Sequence, residues 1–183
     1  VFEKAVDNIG ESSPSTLGFV PHPNLQKPVL VFGYGNLSRG DDALGPLLLE
    51  GIERSQKSVL DSIEILSDFQ LQIEHALDLE SRDLVLFVDA SMNCTHAFDF
   101  AELIPVKDNS YTTHAMSPAA VLAVYENIKN RTPPPSFLLS IKGESFELGE
   151  GLSLAAQHHL QVAIQFAEKL LADLDVLAWR QFL

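Results

Sequence analysis

Apolar and polar positions follow a regular plan from Lys27 onward. "PVLVFGYG" (28–35) is a continuous apolar run, which predicts a strand buried on both faces. "ALGPLLLEGIERS" (43–55) carries Leu44, Leu47, Leu48 and Ile52 at helical spacing. "SIEIL" (62–66) alternates as a second strand, and "LQIEHALDLE" (71–80) reads as a helix. "DLVLFVDAS" (83–91) is another doubly buried strand, with Asp89 at its end. "FDFAELIP" (98–105) alternates as an edge strand would, and "SPAAVLAVYENIK" (117–129) opens on Ser117 and Pro118, a capped helix start. "SFLLSIKG" (136–143) is the last strand, and residues 153–174 read as a long amphipathic helix capped by Ser153. Residues 1–27, rich in Ser, Pro, Gly and Asn, show no period and read as an N-terminal arm.

Strands alternating with helices predict a single domain over 28–183, an α/β fold of three layers. The expected architecture is an α/β/α sandwich whose central sheet is mainly parallel with one antiparallel edge strand. In such sheets, ligands bind beyond the carboxyl ends of the strands. That rule directs attention to three loops: Gly33–Asp42, the one at Asp89, and Gly143–Ser153.

Composition narrows the chemistry. With 25 acidic against 12 basic residues the net charge is −13. Such a surface disfavours nucleic acid and offers nothing to an anionic membrane. A single cysteine, Cys94, allows neither an internal disulfide nor a Cys/His zinc framework. It also has no obvious adjacent base. No apolar run is long enough for a bilayer, and the first residues lack the order of a signal peptide. A cytoplasmic setting is the expectation.

"VLVFGYGNLSRGDDALG" (29–45) ends a strand in a glycine-rich turn, and such turns usually cradle phosphates. Here Ser38 stands where the dinucleotide fingerprint needs its third glycine, and Asp41 and Asp42 stand where the helix should begin. Like charges a few ångströms from a phosphate cost on the order of several kcal/mol when partly desolvated. This disfavours a nucleotide as the target of the turn and leaves a Rossmann-like nucleotide binder as a rival reading that an NAD or ATP titration would expose. The acids either cap the helix or meet a cation, and one of them can do each.

Two other residues lie at similar element boundaries. Asp89 either caps the turn after its strand or aims into the crevice shared with Asp42. His114, in "YTTHAMSPAAVL", is a loop histidine just before the capped helix. Two carboxylates and an imidazole make a nitrogen/oxygen set suited to a divalent transition metal. The other histidines are less well placed: His22 in the arm, His75 in a helical segment, His96 on a loop, and His158 and His159 on different faces of the last helix. Glu144, Glu147 and Glu150 form an acidic turn that could shape one wall of the crevice.

At this point the sequence resembles the nickel–iron hydrogenase maturation endopeptidases. "GYGNLSRGDDALG" matches the family's opening motif, "VDA" at Val88–Ala90 a second, "HAM" from His114 a third, and "GESFELGEGLS" the last. The resemblance implies an enzyme that removes the C-terminal extension of a hydrogenase large-subunit precursor once nickel is installed. It implies metal contact, and catalysis, at Asp42, Asp89 and His114. Nickel would arrive with the precursor rather than be a resident cofactor, and substrate contacts are expected at Asn36, Asp68 and Gln70. Two departures stand out: Asp42 replaces a common glutamate, and "SDFQLQ" replaces a D-G-G-T-like turn. This variant looks like the branch serving NAD-reducing, bidirectional hydrogenases. The alternative is a chaperone that binds nickel or precursor without cutting.

Overall fold

The computed structural model describes residues 27–55, 57–106 and 116–183. The arm, apart from Lys27, and His114 lie outside the described residues. Lys27 itself is joined to the domain, its carbonyl accepting from Arg82 Nη1 at 2.6 Å.

Five strands form one sheet among the described residues: β1 Val29–Tyr34, β2 Ile63–Asp68, β3 Leu84–Ser91, β4 Phe98–Glu102 and β5 Ser136–Lys142. Their spatial order is β2-β1-β3-β5-β4. All pairs are parallel except β4 with β5, where Phe98 stands opposite Ile141 and Glu102 opposite Phe137. This is the expected mainly parallel sheet with one antiparallel edge.

Helices α1 Leu44–Ser55 and α3 Leu154–Leu171 cover one face, and α2 Pro118–Lys129 covers the other with a 3-10 helix, Ile73–Leu79. Strand alternation sorts the two cores. Val29 and Val31 of β1 and Leu84, Leu86 and Val88 of β3 pack under α1 and α3. Leu30, Phe32 and Tyr34 of β1 and Val85 and Phe87 of β3 pack under α2. Both faces of the central strands are buried, which is why those strands read as unbroken apolar runs.

The differences from expectation are local. Residues 73–79 wind as a 3-10 helix, a form that a seven-residue pattern does not separate from an α-helix, since periods of 3.0 and 3.6 coincide over so short a run. Asp89 is not the last residue of β3; the strand runs on to Ser91 because β5 continues beside it, pairing Ser91 with Lys142. The final helix stops at Leu171, and a short α4, Val176–Arg180, follows. It buries Trp179 against Phe137, and the indole N–H donates to the Leu170 carbonyl at 2.8 Å and to that of Asp173 at 2.9 Å. Among the described residues no helix is long and apolar enough to cross a membrane.

Candidate functional site

The strand order reverses between β1 and β3. The loop leaving β1 turns to α1 on one face, and the chain leaving β3 goes by way of β4 to α2 on the other. Such a switch point opens a crevice at the carboxyl ends of the two strands.

The turn after β1 is built by close approach. Gly35 has φ +139°, and a Cβ there would lie 2.0 Å from the Asp42 carbonyl oxygen. A Cβ on Gly45 would lie 2.5 Å from the Tyr34 carbonyl and 2.8 Å from that of Val88. The glycines thus bring the turn and the start of α1 down onto the strand ends; they do not open a phosphate cradle.

The paired acids divide their work. Asp41 is fully buried and does not cap its own helix. Its Oδ2 accepts from the N–H groups of Glu144 (2.7 Å) and Ser145 (3.0 Å) and from Ser153 Oγ (2.8 Å), and its Oδ1 accepts from Ser153 N–H (2.7 Å). Burial pushes this carboxyl up, but the four hydrogen bonds outweigh burial and hold it below the usual carboxylate range. Asp41 therefore ties the opening turn to the 143–153 loop and to Ser153, the cap of α3. Backbone bonds from Asp41 N to Ser145 O (2.7 Å) and from Gly149 N to Ser38 O (2.7 Å) join the same two segments. Glu144, Glu147 and Glu150 stay exposed along this wall.

Asp42 is half-buried, and its Oδ2 accepts from the Asn36 N–H at 2.9 Å. Asn36 thereby orients Asp42, and its own Oδ1 accepts from the Ser38 N–H at 2.9 Å. Asp89 comes from β3, where its Oδ1 accepts from the Ala90 N–H at 2.7 Å. Burial pushes the Asp89 carboxyl up to about 6; the Tyr34 hydroxyl and the Ala90 N–H pull the other way, and the charge of Asp42 adds to the rise. The turn thus brings Asp42 within electrostatic reach of Asp89. The Tyr34 hydroxyl, buried and bonded to Asp89, is itself held well above its ordinary range by burial and by that carboxylate.

Asp68 ends β2 directly beside Tyr34, and it shares the α2 face with Tyr34 and Asp89. One strand separates it from β3, a backbone spacing of about 10 Å. It therefore sits apart from the Asp42–Asp89 pair. Its Oδ1 accepts from the Phe69 N–H at 2.6 Å, and its Oδ2 lies 3.3 Å from His75 Nε2. His75, set aside by the sequence pattern as one position in a helix, is thus part of this edge. Only the turn between β2 and the 3-10 helix brings it back to Asp68, and no spacing rule announces that. Gln70 is exposed.

Among the described residues no three His, Cys, Asp or Glu side chains converge closely enough to hold a metal ion. Asp42 lies within electrostatic reach of Asp89, and His114 lies outside the described residues. The segment leading into α2 reaches the same end of the sheet, since Met116 N–H donates to the Leu71 carbonyl at 3.1 Å. Cys94 is buried, and burial raises its thiol above the ordinary value, which suits packing rather than nucleophilic attack. A groove of about 420 Å³ between α1 and α3, walled by Leu47, Leu160 and Ile164, is lined by none of these acids.

No family model matches the chain, and no curated protein matches it. Solved structures do. The hydrogenase maturating endopeptidase HybD from E. coli is 23% identical, with a TM-score of 0.58 over 76% of this chain and 88% of that one. The [NiFe] hydrogenase maturation protease HycI from Thermococcus kodakarensis is 22% identical, with a TM-score of 0.61 over 81% and 94%. The hydrogenase 2 maturation peptidase from Thaumarchaeota archaeon SCGC_AB-539-E09 is 21% identical, with a TM-score of 0.56 over 80% and 99%. This chain has their fold. The likeness spans nearly the whole of each of those chains, so the α/β/α sandwich is shared as a unit.

Proposed function

We propose that this chain is an endopeptidase that removes the C-terminal extension of a nickel-loaded hydrogenase large-subunit precursor. The observation that carries the reading is the placement of Asp42 and Asp89 at the switch point within electrostatic reach of each other, where burial chiefly, with a smaller push from the Asp42 charge, raises the Asp89 carboxyl to about 6. Such a pair is a poor place for an anion and a good one for a cation. The shared fold of structures named as hydrogenase maturation proteases, and the four sequence motifs, support the same reading.

In this reading nickel belongs to the substrate. Asp42 and Asp89, with His114, recognise the metal already seated in the precursor, and the unfilled ligand set makes docking depend on it. Asp89, its carboxyl pushed up to about 6, is mostly ionised at neutral pH, and a cation favours that charged form further. The bound precursor places its scissile peptide beside the acids, where water is activated by a carboxylate or the carbonyl is polarised by the metal. Asn36 holds Asp42, while Asp68 and Gln70 contact the flanking peptide. The Asp at position 42 and the glycine-free "SDFQLQ" turn favour the branch that serves NAD-reducing hydrogenases.

Mass spectrometry of the precursor, with and without nickel, tests the reading. The wild-type chain should shorten the nickel-loaded form alone. Asp42→Ala, Asp89→Ala and His114→Ala should each abolish cleavage while keeping the native circular dichroism. Full cleavage by all three variants removes the site. Tight binding of the loaded precursor with no cleavage by wild type would make the chain a maturation chaperone instead.

A further inference from the structure

His75 accepts a hydrogen bond at Nδ1 from the Gln72 N–H, at 2.9 Å, as the closing half of a capping box on the 3-10 helix. An imidazole that accepts at Nδ1 carries its proton at Nε2. That nitrogen lies 3.3 Å from Asp68 Oδ2, close enough for its N–H dipole to attract the carboxylate though not aligned as a hydrogen bond. The ring cannot swing freely, since it meets Phe32 edge-on with centroids 4.8 Å apart, and its side chain is only 12% exposed. Asp68, in contrast, is 35% exposed, and its other oxygen is bonded to the Phe69 N–H.

We propose that His75 is a positioning residue: its fixed Nε2–H orients Asp68 as an acceptor for a peptide N–H donor of the precursor. The inference rests on the maturation-protease reading, with Asp68 as a substrate contact. It adds that the grip at Asp68 is set from the 3-10 helix. A capping role alone would need only the Nδ1 bond, whereas the positioning role needs the Nε2 proton.

Two substitutions separate these roles. The amide of asparagine at position 75 reaches about as far as Nδ1 and preserves the cap. The amide of glutamine reaches about as far as Nε2 and preserves a donor to Asp68. In cleavage of nickel-loaded precursor, His75→Asn should raise KM about tenfold with kcat little changed, and His75→Gln should stay within about twofold of wild type. In an Asp68→Ala background, His75→Asn should add no further loss. The reverse order, with glutamine impaired and asparagine normal, reduces His75 to a cap and overturns the proposal. A second measurement needs no precursor: long-range nitrogen–proton NMR of the free protein should find the Nε2–H tautomer, with its proton resonance moved by Asp68→Ala. An Nδ1–H tautomer also overturns the proposal. If the wild-type chain fails to cut loaded precursor, the protease reading falls and takes this one with it; abnormal rank order among variants of an active wild type removes this one alone.

Discussion

Adjacent in sequence, Asp41 and Asp42 differ as much as two aspartates can. Asp41 is sealed under four donors, and Asp42 stands half-open beside another acid. The consequence at residue scale falls on Asp89, whose carboxyl is pushed up to about 6. A carboxyl raised on folding contributes stability that is fully present below its unfolded value, about 4, and is lost as pH rises through about 6. The wild-type chain should therefore lose on the order of 2 kcal/mol between pH 4.5 and pH 8 from this group. Asp89→Asn should remove that loss, giving a variant more stable than wild type at pH 8 and close to it at pH 4.5. Urea denaturation at the two pH values reads the difference. Sequence alone could place both acids where the helix after the first strand begins. It could not assign their tasks, because the complete burial of Asp41 depends on a loop more than a hundred residues away.

The main strands and helices were legible because each repeats a local rule. Ser117 and Ser153 accept from the N–H three residues on, at 3.2 and 3.1 Å, as capping residues do. The 3-10 form of residues 73–79 and the break before α4 were not legible, since both depend on contacts outside the segment. The most consequential joint between elements is the one Asp41 makes between the turn after β1 and the cap of α3. Asp41→Ala would leave three N–H groups and a hydroxyl without their acceptor, a cost of about 3 kcal/mol or more. The carboxyl is held below the usual range on folding, so its stabilisation is present above about pH 4 and is lost as pH falls through the folded value. The gap between wild type and Asp41→Ala in urea midpoint should accordingly be full at pH 7 and shrink in strong acid. An unchanged midpoint at pH 7 would show that the 143–153 loop holds itself.

At the scale of the whole molecule, the sandwich is shared with solved structures that this chain matches over most of their length. Titration with NAD or ATP should give no saturable binding at millimolar concentration, because the strand ends present acids and no open phosphate cradle. Calorimetry checks this, and saturation would overturn the cationic reading of the crevice. The sequence by itself determined the layer plan, the parallel core with its antiparallel edge, and the strand ends at which chemistry could gather. Those follow from hydrophobic periodicity, which is local and survives in one dimension. Only the tertiary structure decided that Asp42 lies within electrostatic reach of Asp89, that Asp41 is a structural anchor, and that His75 returns to Asp68. Each of these depends on distances between segments that the chain order leaves free, and electrostatic and hydrogen-bond energies are fixed by those distances.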